Sequence, residues 1–446
     1  MADVTGGEST LASGTLGWPE PGFWRLNGIN AFWAASQGMW NAIYVLLALS
    51  AALTAPSQKA LVVGKATAAG GVLAVAVPVA AGWLSDRTRS RWGRRTPWIA
   101  AGAGINALGL VLLAWASSVP ALIAAYLVLQ VGNNAAAAAF AGIVPDVVPE
   151  PRRGRASGLL NASSIVGTML CLAASLVVLR ALGSTSQGAA VSYLVLAVLL
   201  AAGTLTSLAV LAEPSSKGSR PPPREAPAAP ARGAWRAATA PLAHHDFRWV
   251  LTTRFFQTLG IWTILPFVAF YFQDVVRAPN YAAASDLWLL AVLGGGVLPA
   301  VACGYLSDRT GRRKAFVYAS SALQGLVACV LLFTLVSDLR AVYLLGILFG
   351  IGYGAYSSVD WALACDVLPD RARSGARDMA LFHVAYTLPQ VFAPALLSPV
   401  LYELNRSGTL AGITTGHGLG YRAVFASAAV WFVLATLWVR RIRGVR

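Results

Sequence analysis

GWLSDR at residues 82–87 and GYLSDR at residues 304–309 are one hexapeptide with its aromatic exchanged, 222 residues apart. Two further pairs keep nearly the same offset. PDVVPEPRRGRA at 145–156 recurs as CDVLPDRARSGA at 365–376, and SQGMWN at 36–41 faces QTLGIW at 257–262 with Gly38 set against Gly260. A repeat this long is too large for a solenoid unit and divides the chain into two consecutive copies of one architecture.

What each copy consists of follows from composition. The chain has 446 residues, 57% hydrophobic and 12% charged, with a mean hydropathy of +0.62. Soluble domains are roughly 45–50% apolar and about 25% charged. Too little charge is present to cover a soluble core of this size. A soluble enzyme, a disordered chain and a disulfide-stapled domain are excluded on that ground, leaving an all-α polytopic membrane protein. Windows of about 20 apolar residues fall at 26–52, 58–84, 96–116, 119–145, 156–180 and 189–212, then at 248–273, 285–307, 314–336, 341–365, 377–402 and 420–440. The expected domains are a tail at 1–25, a six-helix bundle at 26–212, a Pro-rich linker at 213–247, a second six-helix bundle at 248–440 and a tail at 441–446. A parallel pair of six-helix halves is a transporter architecture.

The net charge of +16 does not point to nucleic acid, because Lys and Arg sit in short clusters between apolar runs. With both termini placed inside, the inner connections and C-terminal tail hold 25 Lys and Arg and the outer ones six. That asymmetry places the termini in the cytoplasm and the chain in the cell membrane. Asp3, Glu8 and Glu20 precede the first span without a basic run, so that span is expected to be retained rather than cleaved. Cys171, Cys303, Cys329 and Cys365 lie inside apolar runs and read as small buried hydrophobes. Walker A, HExxH and GxSxG patterns do not occur, so neither a cofactor nor enzymatic chemistry is implied.

The run Gly304-Tyr-Leu-Ser-Asp308-Arg309-Thr-Gly-Arg312-Arg resembles the signature between the second and third helices of each half in the major facilitator superfamily. Its first copy, GWLSDRTRSRWGRR at 82–95, carries four extra residues before Thr96-Pro97-Trp98. That form is similar to plant sucrose transporters and glycoside–pentoside–hexuronide symporters. The resemblance implies a conformational latch built on Gly82, Asp86, Arg87 and Arg94 in one half and Gly304, Asp308, Arg309 and Arg312 in the other. The glycines allow close helix approach, and the aspartates have arginines and a helix end to pair with. A plain basic anchor is the alternative. The second repeated motif places Asp146 beside Arg153 and Arg155, as a gating ion pair or a solvated loop. Melibiose-type symporters carry two acids on the second helix for sodium. Here Ala74 and Pro78 take those places, so the resemblance implies protons as the coupling ion.

Charges inside a bilayer cost ~2.5–3.5 kcal/mol on insertion scales and mark function by default. Lys65 is near enough to the outer face to snorkel and Arg25 is interfacial. Arg254, Asp360 and His383 differ: each lies about six residues from the cytoplasmic end of its span, roughly 9 Å deep at ~1.5 Å per residue. They are expected to form one cluster coupling protons to transport, or else a static ion pair. Gln37, Asn41 and Tyr44 on the first helix, Gln130, Asn133 and Asn134 on the fourth, and Asn161 on the fifth supply polar groups to a central cavity. Gln257 and Trp262 on the seventh, Tyr353, Tyr356 and Trp361 on the tenth, and Tyr386 and Gln390 on the eleventh complete the set. Amides and aromatic rings suit a polyhydroxylated small molecule, though any one of them is also packing glue. The expectation is a monomeric secondary transporter, most specifically a proton–sugar symporter. A proton-antiport exporter and a non-transporting receptor of the same fold remain as rivals.

Overall fold

The structure is a computed structural model that describes residues 22–143, 153–211, 213, 215–217, 240–367, 375–407, 409–410, 413–414 and 418–444. Its helices are α1 (Phe23–Thr54), α2 (Lys59–Arg87), α3 (Thr96–Ala114), α4 (Val119–Ala141), α5 (Arg153–Leu182) and α6 (Ser186–Leu211). After residues 212–239 follow α7 (His245–Asp274), α8 (Tyr281–Thr310), α9 (Arg313–Thr334), α10 (Leu339–Asp366), α11 (Gly375–Ser407) and α12 (Leu419–Val439). All twelve are long and apolar enough to cross a bilayer, where a helix satisfies its own backbone without water. Their ends fall within five residues of the spans expected from hydropathy. Thr409–Leu410 and Ile413–Thr414 pair antiparallel between α11 and α12.

Local chemistry explains the ends. Ser118, Asn280 and Asp338 cap α4, α8 and α10 through their side chains. Gly311, at φ +64°, closes α8 in the left-handed conformation that a side chain resists. Pro266 accounts for the 3₁₀ turn Leu265–Phe267 inside α7.

The packing repeats with the sequence. In the first six helices α1 packs on α5 and α6, α4 on α2 and α3, and α3 on α6. Six helices later α7 packs on α11 and α12, α10 on α8 and α9, and α9 on α12. Small residues bring these pairs close: a Cβ on Gly354 of α10 would lie 2.0 Å from the Gly296 carbonyl of α8. The two sets meet along two reciprocal seams, α2 with α11 and α5 with α8.

Those seams are uneven. The start of α1, the α2–α3 turn and the end of α12 share one face, the terminal face; the opposite face is distal. On the distal half a Cβ at Gly64 would lie 2.4 Å from Ser398, and one at Gly71 2.2 Å from Val391. Lys59 Nζ donates to Gln273 Oε1 (2.7 Å) and Asp274 Oδ1 (2.5 Å), while Tyr421 Oη donates to Asp274 Oδ2 (2.5 Å). Ser184 Oγ donates to Asn280 Oδ1 (2.8 Å) and accepts from the Ala282 amide (3.1 Å). On the terminal half, by contrast, a Cβ at Gly82 meets nothing within 4 Å, and one at Gly304 meets only Ser358 of its own half at 3.7 Å, among the described residues. The close helix approach expected at these glycines is therefore absent, because the halves are drawn together at the other end of the seam.

Candidate functional site

The second half supplies the charged core. Arg254 on α7 and Asp360 on α10 form an ion pair, with side chains only 11% and 6% exposed. Asp360 Oδ1 also accepts a 2.7 Å hydrogen bond from Tyr356 Oη, one helical turn away. The guanidinium lies 3.7 Å from the centre of the Phe382 ring and 5.1 Å from that of Tyr386, both on α11. Ring faces attract a cation held over them, so Arg254 is fixed from two sides, and its Nε is left without a partner among the described residues. Tyr353 and Tyr386 share a hydrogen bond beside it. The hydropathy spans set Arg254 and Asp360 at equal depth; α7 in fact begins three residues earlier, and the long arginine side chain spans the difference. His383 belongs to α11, but its side chain lies outside the described residues, as do those of Trp361 and Asn161.

The first half supplies neutral groups. Gln130 Nε2 donates to Tyr126 Oη (3.0 Å), and Asn134 Nδ2 donates to Gln130 Oε1 (2.9 Å). Asn133 Oδ1 accepts from Ser36 Oγ (2.7 Å) and Asn106 Nδ2 (3.3 Å), tying α4 to α1 and α3. Tyr44 meets Trp262 of the opposite half edge-on at 5.0 Å and lies near both Tyr126 and Tyr386. Gln37, Asn41 and Gln390 are half-buried and make no hydrogen bond among the described residues. Gln257 does not join the set: it is fully buried and accepts from Ser321 on α9 (2.8 Å), a packing contact within its half.

At the terminal face the repeated motifs make ion pairs, with different partners from those expected. Asp86 pairs with Arg95 (3.3 Å), while Arg87 lies over the Trp83 ring at 3.9 Å. In the other half Arg313 joins Asp308 (3.4 Å) to Asp366 (3.0 Å), linking the two repeated motifs; Arg309 and Arg312 are exposed. Successive arginines in a turn point in different directions, so the run alone does not single out Arg95 and Arg313. Asp146 lies outside the described residues, as do the side chains of Arg153 and Arg155.

Two residues outside the sequence-based expectations stand out. The Glu213 carboxylate accepts from the backbone amides of Arg94 (2.9 Å), Arg95 (3.0 Å) and Thr96 (2.8 Å) and from Thr96 Oγ1 (2.9 Å). It thereby caps α3, where exposed amides and the helix dipole favour an anion. Gly93, at φ +90°, makes room: a Cβ there would lie 2.1 Å from Glu213. Asp286 is entirely buried in α8. The signal for it is an acid in an apolar run, obscured when the span is started at 285.

Twelve membrane helices in two interlocked sets, with a buried ion pair in the second and polar side chains in both, have the architecture of a multi-pass transporter. The sequence profile of the Major Facilitator Superfamily matches residues 29–394, and the chain belongs to that family. Among solved structures, a point variant of the nucleoside transporter NupG superposes with a TM-score of 0.67 at 15% identity, covering 94% of this chain and all of its own. A bacterial homologue of the human lysosomal transporter Spinster, in an inward-facing, unoccupied conformation, gives 0.67 at 14% identity, covering 94% of this chain and 97% of its own. No curated protein matches the sequence.

Proposed function

We propose that this transporter works by alternating access and carries a sugar or glycoside together with protons. The observation that carries the reading is the Arg254–Asp360 pair, buried against a belt of tyrosines between α7, α10 and α11. A carboxylate whose counter-ion is also held by aromatic rings is a proton carrier: when Arg254 shifts from Asp360 onto Phe382 and Tyr386, a proton takes its place. Gln37, Asn41 and Gln390 offer amides not engaged elsewhere, and Tyr44, Trp262, Tyr353 and Tyr386 offer ring faces for the C–H surface of a sugar. Asn133 ties α4 to α1 and α3 beside them, while Gln130 and Asn134 bond within α4.

The tight distal seam and loose terminal seam support a state open toward the terminal face, which the positive-charge asymmetry assigns to the cytoplasm. The Asp86–Arg95 and Asp308–Arg313–Asp366 clusters, each formed within its own half, then supply the charges that latch the seam when the cytoplasmic side closes. One chain in the plasma membrane suffices for this cycle.

The test is uptake into proteoliposomes in sodium-free buffer under an imposed pH gradient, with a panel of sugars, glycosides and nucleosides. Accumulation of a sugar or glycoside that collapses with a protonophore is the expected result. Absolute dependence on sodium overturns proton coupling; loss of a preloaded solute against the proton gradient favours the exporter. Nucleoside uptake without sugar uptake overturns the substrate class.

A further inference from the structure

We propose that Asp286 is a second proton-binding site, set in the distal seam between the two halves. Its side chain is 0% exposed, and neither carboxyl oxygen has a hydrogen-bond partner or a cation among the described residues. It lies on α8 at the seam with α5, one of the two reciprocal contacts between the halves. Ser175 of α5 is the hydroxyl placed toward it. Ser175 is itself fully buried, and its Oγ likewise has no hydrogen-bond partner among the described residues. The remaining ionisable groups on this half of the packed helices are Cys171 and Arg180 on α5, Tyr343 and Arg340 on α10, Tyr271 and Asp274 on α7, Tyr44 on α1, Cys329 on α9 and Tyr281 on α8 itself. None of them pairs with Asp286: Tyr343 donates to the Ala284 carbonyl, Tyr271 to that of Val336, and Asp274 is taken by Lys59 and Tyr421.

A charged carboxylate sealed among helices without a donor or counter-ion is an arrangement that proteins avoid. The neutral acid fits, since its O–H can donate to Ser175 Oγ. Opening the distal seam parts α5 from α8 and brings the carboxyl to the distal solution. There it passes its proton to water, leaving carboxylate and hydronium. Reclosing requires the reverse, so each distal closure takes up one proton from that side. Asp286 lies five residues, or about 7.5 Å, from the distal end of its helix, whereas Asp360 lies six residues from the terminal end of α10. The chain thus holds a protonatable carboxyl near each face. The proposal rests on alternating access but not on Asp360 or on the substrate.

The experiment uses the full chain in nanodiscs, its native cysteines replaced and spin labels placed at Gln187→Cys and Ser337→Cys on exposed distal positions of the two halves. Falling pH should shift the distance distribution from long to short, with the open-to-closed ratio changing by up to about tenfold per pH unit for one linked proton. Asp286→Asn should favour the short distance and reduce the shift to the part that Asp360 contributes, Asp286→Glu should keep the full shift, and Asp360→Asn should keep the part due to Asp286. A pH shift in Asp286→Asn equal to that of the unsubstituted chain overturns the proposal, as does no shift in the unsubstituted chain. Loss of the shift in Asp360→Asn alone also overturns it, assigning the effect to the Arg254 pair. Should Asp286→Asn fail to fold, infrared difference spectra decide: Ser175→Ala should move the carbonyl band of a protonated carboxylic acid, and an unmoved band overturns the assignment.

Discussion

Asp360→Asn, taken alone and with Arg254→Met, separates a static ion pair from a coupling one. Asparagine keeps an oxygen for Tyr356 Oη, so that hydrogen bond is preserved; what is lost is the counter-ion of Arg254. Removing one member of a buried pair typically costs about 3–5 kcal/mol. Exposures of 11% and 6% leave little solvent screening to reduce that figure. The rings of Phe382 and Tyr386 still hold the guanidinium, and each cation–ring contact is worth about 0.5–2 kcal/mol. Those contacts are present with and without the substitution and cancel, so the expected destabilisation of the single variant is about 3–5 kcal/mol. In the double variant no charge is buried, and stability should return to within about 1–2 kcal/mol of the original, the difference being the lost ring contacts. Unfolding in mixed micelles measures these differences, and flux in proteoliposomes measures function. A coupling role predicts that both variants exchange substrate across the membrane but do not concentrate it under a pH gradient. Concentrative uptake by the double variant at the original level refutes coupling through this pair, and full stability in Asp360→Asn refutes the energetic reasoning.

Three further outcomes are expected. Gly71→Leu puts side-chain atoms where Val391 already sits, 2.2 Å from the Cβ position, so it should hold the distal seam apart and reduce flux at least tenfold, roughly the effect of 1.4 kcal/mol; a normal rate contradicts the seam as described. Lys59→Gln removes the Asp274 pair, which is partly exposed (16% and 34%) and so worth only about 0–1 kcal/mol; distal cysteine labelling should rise severalfold while expression stays unchanged, and unaltered labelling counts against a sealing role. Glu213→Ala strips the cap from α3 and should cost about 0.5–2 kcal/mol, read as a lower thermal midpoint, with Glu213→Gln falling between; equal midpoints for all three show the cap to be replaced by solvent.

Helix positions were legible because a bilayer requires about 20 apolar residues whatever the helix packs against, and hydropathy alone records that. Pairing between halves was legible only as a repeat. The motif carrying Asp308 announced an ion pair, but Arg313 rather than Arg309 or Arg312 holds it, and Arg313 also reaches Asp366 at the end of α10. Glu213 was not legible, because its partners are 117–119 residues away and its immediate surroundings read as a polar linker. Gln257 shows the converse: its type suited a cavity, but its position on the turn of α7 aims it at Ser321.

The clusters at the terminal face and the packing at the distal face are two sides of one constraint. Each half packs internally through α1–α5 or its repeat α7–α11, so each is stiff. Freedom is left in the seams α2–α11 and α5–α8, which run from one face to the other. In the proposed alternating-access cycle two stiff halves sharing such seams rock, and closing the seam at one end opens it at the other. Gly64 and Gly71 close the distal end of α2 while Gly82, eleven residues after Gly71 on the same helix, touches nothing. At ~1.5 Å per residue these glycines are about 16 Å apart, enough for a small rotation to exchange tight packing for open space. Close approach at Gly82 therefore belongs to the opposite state, with the Asp86 and Asp308 clusters as the charges available to hold it. Asp308→Asn should leave the distal packing untouched and shift the equilibrium toward the present state. Labelling of cysteines at Gly82 and Gly304 that stays equal in both proteins would count against that assignment.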